Sequence, residues 1–184
     1  QFPETGASVN ALNNLTLAYA HQSDLLMVKA MIAYLGERFR SRDQAALGLM
    51  SLGKLYLDQT NQPMAMLAYN TFLDSFPKHE KCGLILFFLA DLRKKAGDDA
   101  GALALYRRIV ENYPQDAYYP KALSQLAWGA YMAGEYSNAI PGFVRYLAEA
   151  QPGPDKARGQ FCLAESYRQT GQFIEAVKAY QALI

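Results

Sequence analysis

Apolar and small side chains recur along this chain at spacings of three and four, the mark of helices that each bury one stripe. The pattern is broken at regular intervals. Leu126-Ala127, Gly134, Ala139 and Phe143 return as Leu163-Ala164, Gly171, Ala176 and Tyr180, and appear upstream as Leu89-Ala90, Gly97, Ala102 and Tyr106. Leu52-Gly53, Thr60, Ala65 and Tyr69 precede them, and every match is offset by 37 residues. A degenerate first copy keeps the register at Leu15, Tyr19, Ser23, Val28, Ile32 and Leu35. A fixed period of this size predicts stacked copies of one supersecondary unit, none able to bury its apolar face alone.

Each copy reads as two helices. In the fourth, the first helix is predicted over about 121–133 and the second over about 137–150. Gly97, Gly134 and Gly171 stand where the first helix must end, and glycine adopts the left-handed closing conformation most cheaply. Phe76-Pro77, Tyr113-Pro114 and Gln151-Pro152 end the second helices, because the residue before a proline resists the helical conformation. The second copy has Thr60-Asn61 in place of the glycine. Asn61 is expected to supply that turn, with Pro63 at the first helical position. Pro141, followed by Gly142, lies about one turn into its helix and predicts a late start or a bend.

Small residues recur where helices must approach closely: Gly53, Ala90, Ala127 and Ala164 on first helices, Ala65, Ala102, Ala139 and Ala176 on second ones. Large ones follow four residues on, at Tyr69, Tyr106, Phe143 and Tyr180, and three later at Phe72, Ile109, Tyr146 and Leu183. These spacings keep them on one stripe, and all are assigned to the core. The expectation is one all-α solenoid over 1–184, with repeats at about 9–45 (degenerate), 46–82, 83–119, 120–156 and 157–184 (incomplete).

Composition narrows the function. About half of the residues are hydrophobic and 12% aromatic, enough to build a core. A net charge of +1 makes no case for nucleic acid or an anionic membrane surface. No apolar run approaches the 18 residues or so of a membrane-spanning helix. Cys82 and Cys162 lie too many helices apart for a disulfide and read as buried free thiols. His21 and His79 have no cysteine or carboxylate cluster at ligand spacing and read as solvated; no cofactor, metal or active site is expected. Gln1-Phe2-Pro3-Glu4 shows no leader features, and the chain stops at Ile184 without a polar capping helix, so a fragment of a longer chain is expected.

The pattern of leucine then a small residue, tyrosine, turn glycine, alanine, aromatic and closing proline resembles the tetratricopeptide repeat. Leu52-Gly53, Tyr56, Ala65, Tyr69 and Pro77 carry it, as do Leu163-Ala164, Tyr167, Gly171, Ala176 and Tyr180. Arg93 and Ala130 depart from it where the first-helix tyrosine would stand. The resemblance implies a right-handed α-α superhelix of antiparallel helix pairs, and a non-catalytic scaffold that binds a peptide segment or partner domain in a concave groove. The period is longer than the family's common one of about 34 residues, and phrases such as Tyr113-Pro114-Gln115-Asp116-Ala117-Tyr118-Tyr119-Pro120 are similar to bacterial cell-envelope repeats. That similarity favours the periplasm or an outer-membrane association over the cytoplasm.

In the family the first helices line the groove. Carried over by register, the groove takes Lys54 from the second repeat and Phe87, Asp91, Lys94 and Lys95 from the third. Lys121, Trp128 and Tyr131 come from the fourth, and Arg158, Phe161 and Arg168 from the fifth. Exposed rings with lysine and arginine suit recognition of a polypeptide, the rings giving area and the cations picking out carboxylates. Trp128 either makes partner contact or packs on the next repeat's first helix. The asparagines of a chaperone-type carboxylate clamp are replaced by Lys54, Asp91 and Trp128, so that clamp is not expected. Two other functions fit the pattern: a regulatory or substrate-presenting region of a larger enzyme or secretion or assembly machine, and a module binding cell-wall or exopolysaccharide.

Overall fold

The computed structural model describes residues 5–184; Gln1 to Glu4, where the sequence was read for a leader, lie outside the described residues. Ten α-helices and no strand occur among the described residues. They are α1 (Gly6–His21), α2 (Leu25–Arg38), α3 (Asp43–Asp58), α4 (Gln62–Ser75) and α5 (Cys82–Lys95). They continue with α6 (Asp99–Asn112), α7 (Tyr119–Met132), α8 (Tyr136–Glu149), α9 (Pro154–Gln169) and α10 (Phe173–Gln181). The chain forms two compact units, the first ending at Ile85 and the second Leu86–Ile184, so the division falls inside α5.

The turns inside the hairpins show why the period holds. Ser23, Thr60, Gly97, Gly134 and Gly171 all have positive φ, between 59° and 79°, and each is 37 residues from the next. One residue later, the amide of Asp24, Asn61, Asp98, Glu135 or Gln172 donates back to the carbonyl of Tyr19, Tyr56, Arg93, Ala130 or Tyr167. That bond closes the first helix with a left-handed residue and satisfies a terminal carbonyl. The same residue then caps the second helix. Asp24, Asn61 and Asp98 accept from the amides of Met27, Met64 and Gly101. Glu135 and Gln172 make no such side-chain bond. Asn61 is thus the cap, and Thr60 rather than Asn61 makes the turn. Pro63 is the second helical residue, not the first.

Two further expectations change. Helix α8 runs unbroken through Pro141 from Tyr136, so its start is not delayed. The adjacent Gly142 lets α8 lie directly on α7, since a Cβ there would sit 2.6 Å from that of Ala127 and 2.9 Å from the Leu123 carbonyl oxygen. His79 is not solvated: its side chain is 10% exposed. Its Nδ1 accepts from the Lys81 amide, so the proton lies on Nε2, which donates to Asp43 at 2.8 Å. The ring meets Phe72 edge-on. The anchored turn leads into Cys82, whose buried thiol donates to the Phe76 carbonyl.

In the first unit, α1 packs on α2 and α3, and α2 on α3 and α4. Phe39, Leu49, Tyr56, Tyr69 and Phe72 are fully buried there. In the second unit each helix from α6 packs on the next. Its core around α7 to α9 gathers Ala127, Ala139, Phe143, Cys162 and Leu163. Each fully buried large side chain contributes about 1.5–3 kcal/mol relative to exposure, so the repeated stripe is what holds each stack.

Candidate functional site

The first helices of the second unit, α5, α7 and α9, border an open trough of about 760 Å³, which Ala117 before α7 and the C-terminal end of α8 also line. Phe87, Lys94, Lys121, Trp128 and Arg158, expected in the groove, line it together. Its floor is aromatic. Phe87 lies with its ring centre 5.1 Å from Tyr118 and 5.3 Å from Tyr106. Trp128 is half-buried and stands perpendicular to the buried Phe143 ring, with ring centres 5.0 Å apart. Of the two readings of this indole, packing against the next repeat's first helix holds, since Arg158 of α9 lies over its ring and Cys162 and Leu163 of α9 share its cluster.

The cations are held by neutral partners. The Arg158 guanidinium lies 4.9 Å over the Trp128 ring, and the Lys121 ammonium 4.8 Å over Tyr118. Such contacts fix a side chain without neutralising it, and are worth about 0.5–1 kcal/mol at exposed sites. Lys94 donates to the Gln125 side chain at 3.0 Å.

The other register-derived residues lie elsewhere. Lys54 is exposed on α3 in the first unit, and Lys95 is exposed beyond the trough lining. Asp91 accepts a 2.9 Å hydrogen bond from Tyr106, whose own ionisation is pushed up by burial and then by that carboxylate. Tyr131 packs on the core beside Tyr136 and Phe143, and burial pushes both its hydroxyl and the neighbouring Cys162 thiol up. Phe161 is half-exposed with its ring toward Tyr180. Arg168 is bound to Glu165 in a bidentate pair, its Nε and one Nη each donating to a different carboxylate oxygen. Glu165 also accepts from Tyr180 at 2.7 Å and Gln169 at 2.8 Å, and these donors, Arg168 first, hold its pKa down at about 2.

Reading by register missed Ser124, Gln125, Tyr146, Glu149 and Asp155, which also line the trough. Ser124 stands in the column of Phe87 and Phe161, so a hydroxymethyl there leaves open what a ring would fill. Tyr146 was assigned to the core; its ring instead covers Gly159, where a Cβ would sit 2.8 Å away, and turns an edge to the trough. Its hydroxyl, in a column otherwise of Phe72, Ile109 and Leu183, was the available signal. Glu149 carries an ion pair with Arg145 at 2.8 Å, and Asp155 sits in the first turn of α9. Among the described residues no helix is long and apolar enough to cross a membrane, and no group of three or more metal-ligating side chains is gathered.

A tetratricopeptide repeat model matches residues 50–117 and 124–184, most of the chain. No curated protein sequence is significantly similar. Among solved structures, a MamA protein superposes with a TM-score of 0.55 at 16% identity, over 96% of this chain and 90% of its own. A tetratricopeptide repeat protein from Parabacteroides merdae gives 0.58 at 19% identity, over 97% of this chain and 66% of its own. A kinesin light chain-like repeat protein from Podosopora anserina gives 0.54 at 15% identity, over 98% and 95%. At these identities the likeness is one of fold, the tetratricopeptide solenoid.

Proposed function

We propose, since this chain belongs to the tetratricopeptide repeat family, that it captures a polypeptide segment of its partner in the trough of α5, α7 and α9. The family is a non-catalytic repeat scaffold whose members bind protein partners, and the finer reading concerns where and how. The observation that carries it is the Trp128–Arg158 pair, a half-buried indole in the trough lining with the guanidinium over its ring. Buried aromatics and arginines at the centre of an interface supply most binding energy, because they offer large area at little entropic cost. The backbone of an extended segment would hydrogen-bond to donors such as Gln125 while one apolar side chain packs beside the indole.

The test is partner capture by a Trp128→Ala, Lys121→Glu double variant. Capture is lost while the far-ultraviolet circular dichroism stays helical. Recovery of the same partners as the unaltered chain overturns the assignment of the trough.

A further inference from the structure

Resting on that reading, we propose that the segment taken by the trough carries acidic side chains within its length. It is neither a basic stretch nor a chain end held by its terminal carboxylate. The argument is a charge inventory of the second unit. Lys94, Lys121 and Arg158 rest on an amide and two rings, and none forms an ion pair with a described residue. The carboxylates on the same helices are already engaged. Asp91 accepts from Tyr106, and Glu165 from Arg168, Tyr180 and Gln169.

Glu149 on the far wall is paired with Arg145. Asp155 is matched to the positive N-terminal end of α9. The trough lining therefore holds Lys94, Lys121 and Arg158 without an ion-pair partner among the described residues against Glu149 and Asp155, an excess of positive charge.

Geometry narrows the partner further. The three cations come from three different helices, α5, α7 and α9, so a single terminal carboxylate would leave most of them unmatched, whereas a run of acidic side chains can meet all three. An arginine whose face lies on an indole keeps its donor edges for a carboxylate approaching in its plane. The end of the trough at Glu149 and Asp155 opposes acids, so the segment turns neutral or basic there.

Selection from a displayed library of random dodecapeptides, fused at both ends so that no terminal carboxylate is free, tests this. Enriched sequences should be acidic around an apolar residue. On a Lys94→Glu, Lys121→Glu, Arg158→Glu variant the preference should reverse, and the best acidic peptide should lose at least about tenfold in affinity, with binding that weakens as salt rises. A Lys121→Gln single variant, with helicity checked by circular dichroism, should give a smaller loss of the same sign. Enrichment that depends on Trp128 but is neutral or basic, or that survives the reversal, overturns the acidic partner and leaves the trough assignment standing. No enrichment on the unaltered chain removes both.

Discussion

At one register position the third and fifth repeats carry a carboxylate, Asp91 and Glu165, while the fourth carries Trp128. The partner position on the second helix changes in step: Tyr106 and Tyr180 donate their hydroxyls to those carboxylates, and Phe143, with no hydroxyl, meets the indole edge-on. The backbone frame is the same, but the flanking pairs consume their polar groups internally. The central pair leaves an indole in the trough lining, where it meets Arg158 of the next repeat instead of a hydroxyl of its own. On the proposed reading, what separates a structural repeat from a binding one is whether the helix pair uses up its own groove residue.

Removing the ring that anchors the central pair has the largest effect. Phe143 is fully buried beneath Trp128 and Tyr131, so Phe143→Ala should cost about 3–5 kcal/mol of stability by loss of burial and a residual cavity. Chemical denaturation followed at the single tryptophan measures it, and a cost under about 1 kcal/mol would mean that the pair is not the core of its repeat.

The comparison is sharpened by making the central pair resemble its neighbours. Phe143→Tyr adds a hydroxyl facing an indole instead of a carboxylate, and a buried unpaired hydroxyl costs about 1–3 kcal/mol. Phe143→Tyr combined with Trp128→Asp should recover much of that loss, since it rebuilds the Tyr106–Asp91 arrangement, but should abolish partner capture. Denaturation of the single and double variants gives the coupling. Additive losses would show that the register match is not energetic.

These differences mark the limit of legibility in the sequence. The period, the hairpins and the helix ends at Gly97, Gly134 and Gly171 follow from backbone chemistry that a residue's identity declares. The turn at Thr60 does not, because a β-branched residue has the wrong intrinsic preference and the closure is imposed by the Asn61-to-Tyr56 bond and the cap on Met64. Register placed eleven residues on first-helix faces. It could not tell which were spent within their own repeat, as Asp91 is by Tyr106 and Arg168 by Glu165, nor that Tyr131 turns into the core. Glu149 and Asp155 reach the trough from a helix end and the following first turn, positions that loop geometry decides.

The fifth repeat's pair makes a prediction in pH. Glu165 titrates at about 2 in the folded chain, held down first by Arg168, then by Tyr180 and Gln169. An ordinary glutamate titrates near 4.3. A folded value below the unfolded one stabilises the fold above the unfolded value, and that stability is lost as pH falls from there toward 2. Tyr180→Phe removes one donor, so the Glu165 carboxyl, followed by carbon-detected NMR, should titrate at higher pH and the acid limb of the melting curve should flatten. An unmoved midpoint would mean that the tyrosine is a spectator.

The smallest expected effect carries the comparison to the hairpin turns. Ser23 and Thr60 in the first unit hold φ of 60° and 59°, in the left-handed region where Gly97, Gly134 and Gly171 stand at 76–79° in the second. A left-handed conformation costs a residue with a Cβ about 1–2 kcal/mol, with β-branched threonine at the worse end. Glycine removes that strain but returns some backbone entropy to the unfolded chain, about 0.4–1 kcal/mol, so Thr60→Gly should gain only about 1 kcal/mol. The reverse change, Gly97→Thr, imposes strain in an open position where a Cβ meets nothing within 4 Å. Conformation alone then sets its cost, of the same size and opposite sign. Paired thermal melts of the two variants measure this. If Thr60→Gly destabilises, the threonine side chain supports its turn through contacts that outweigh its backbone preference, and the two units close their hairpins by different means.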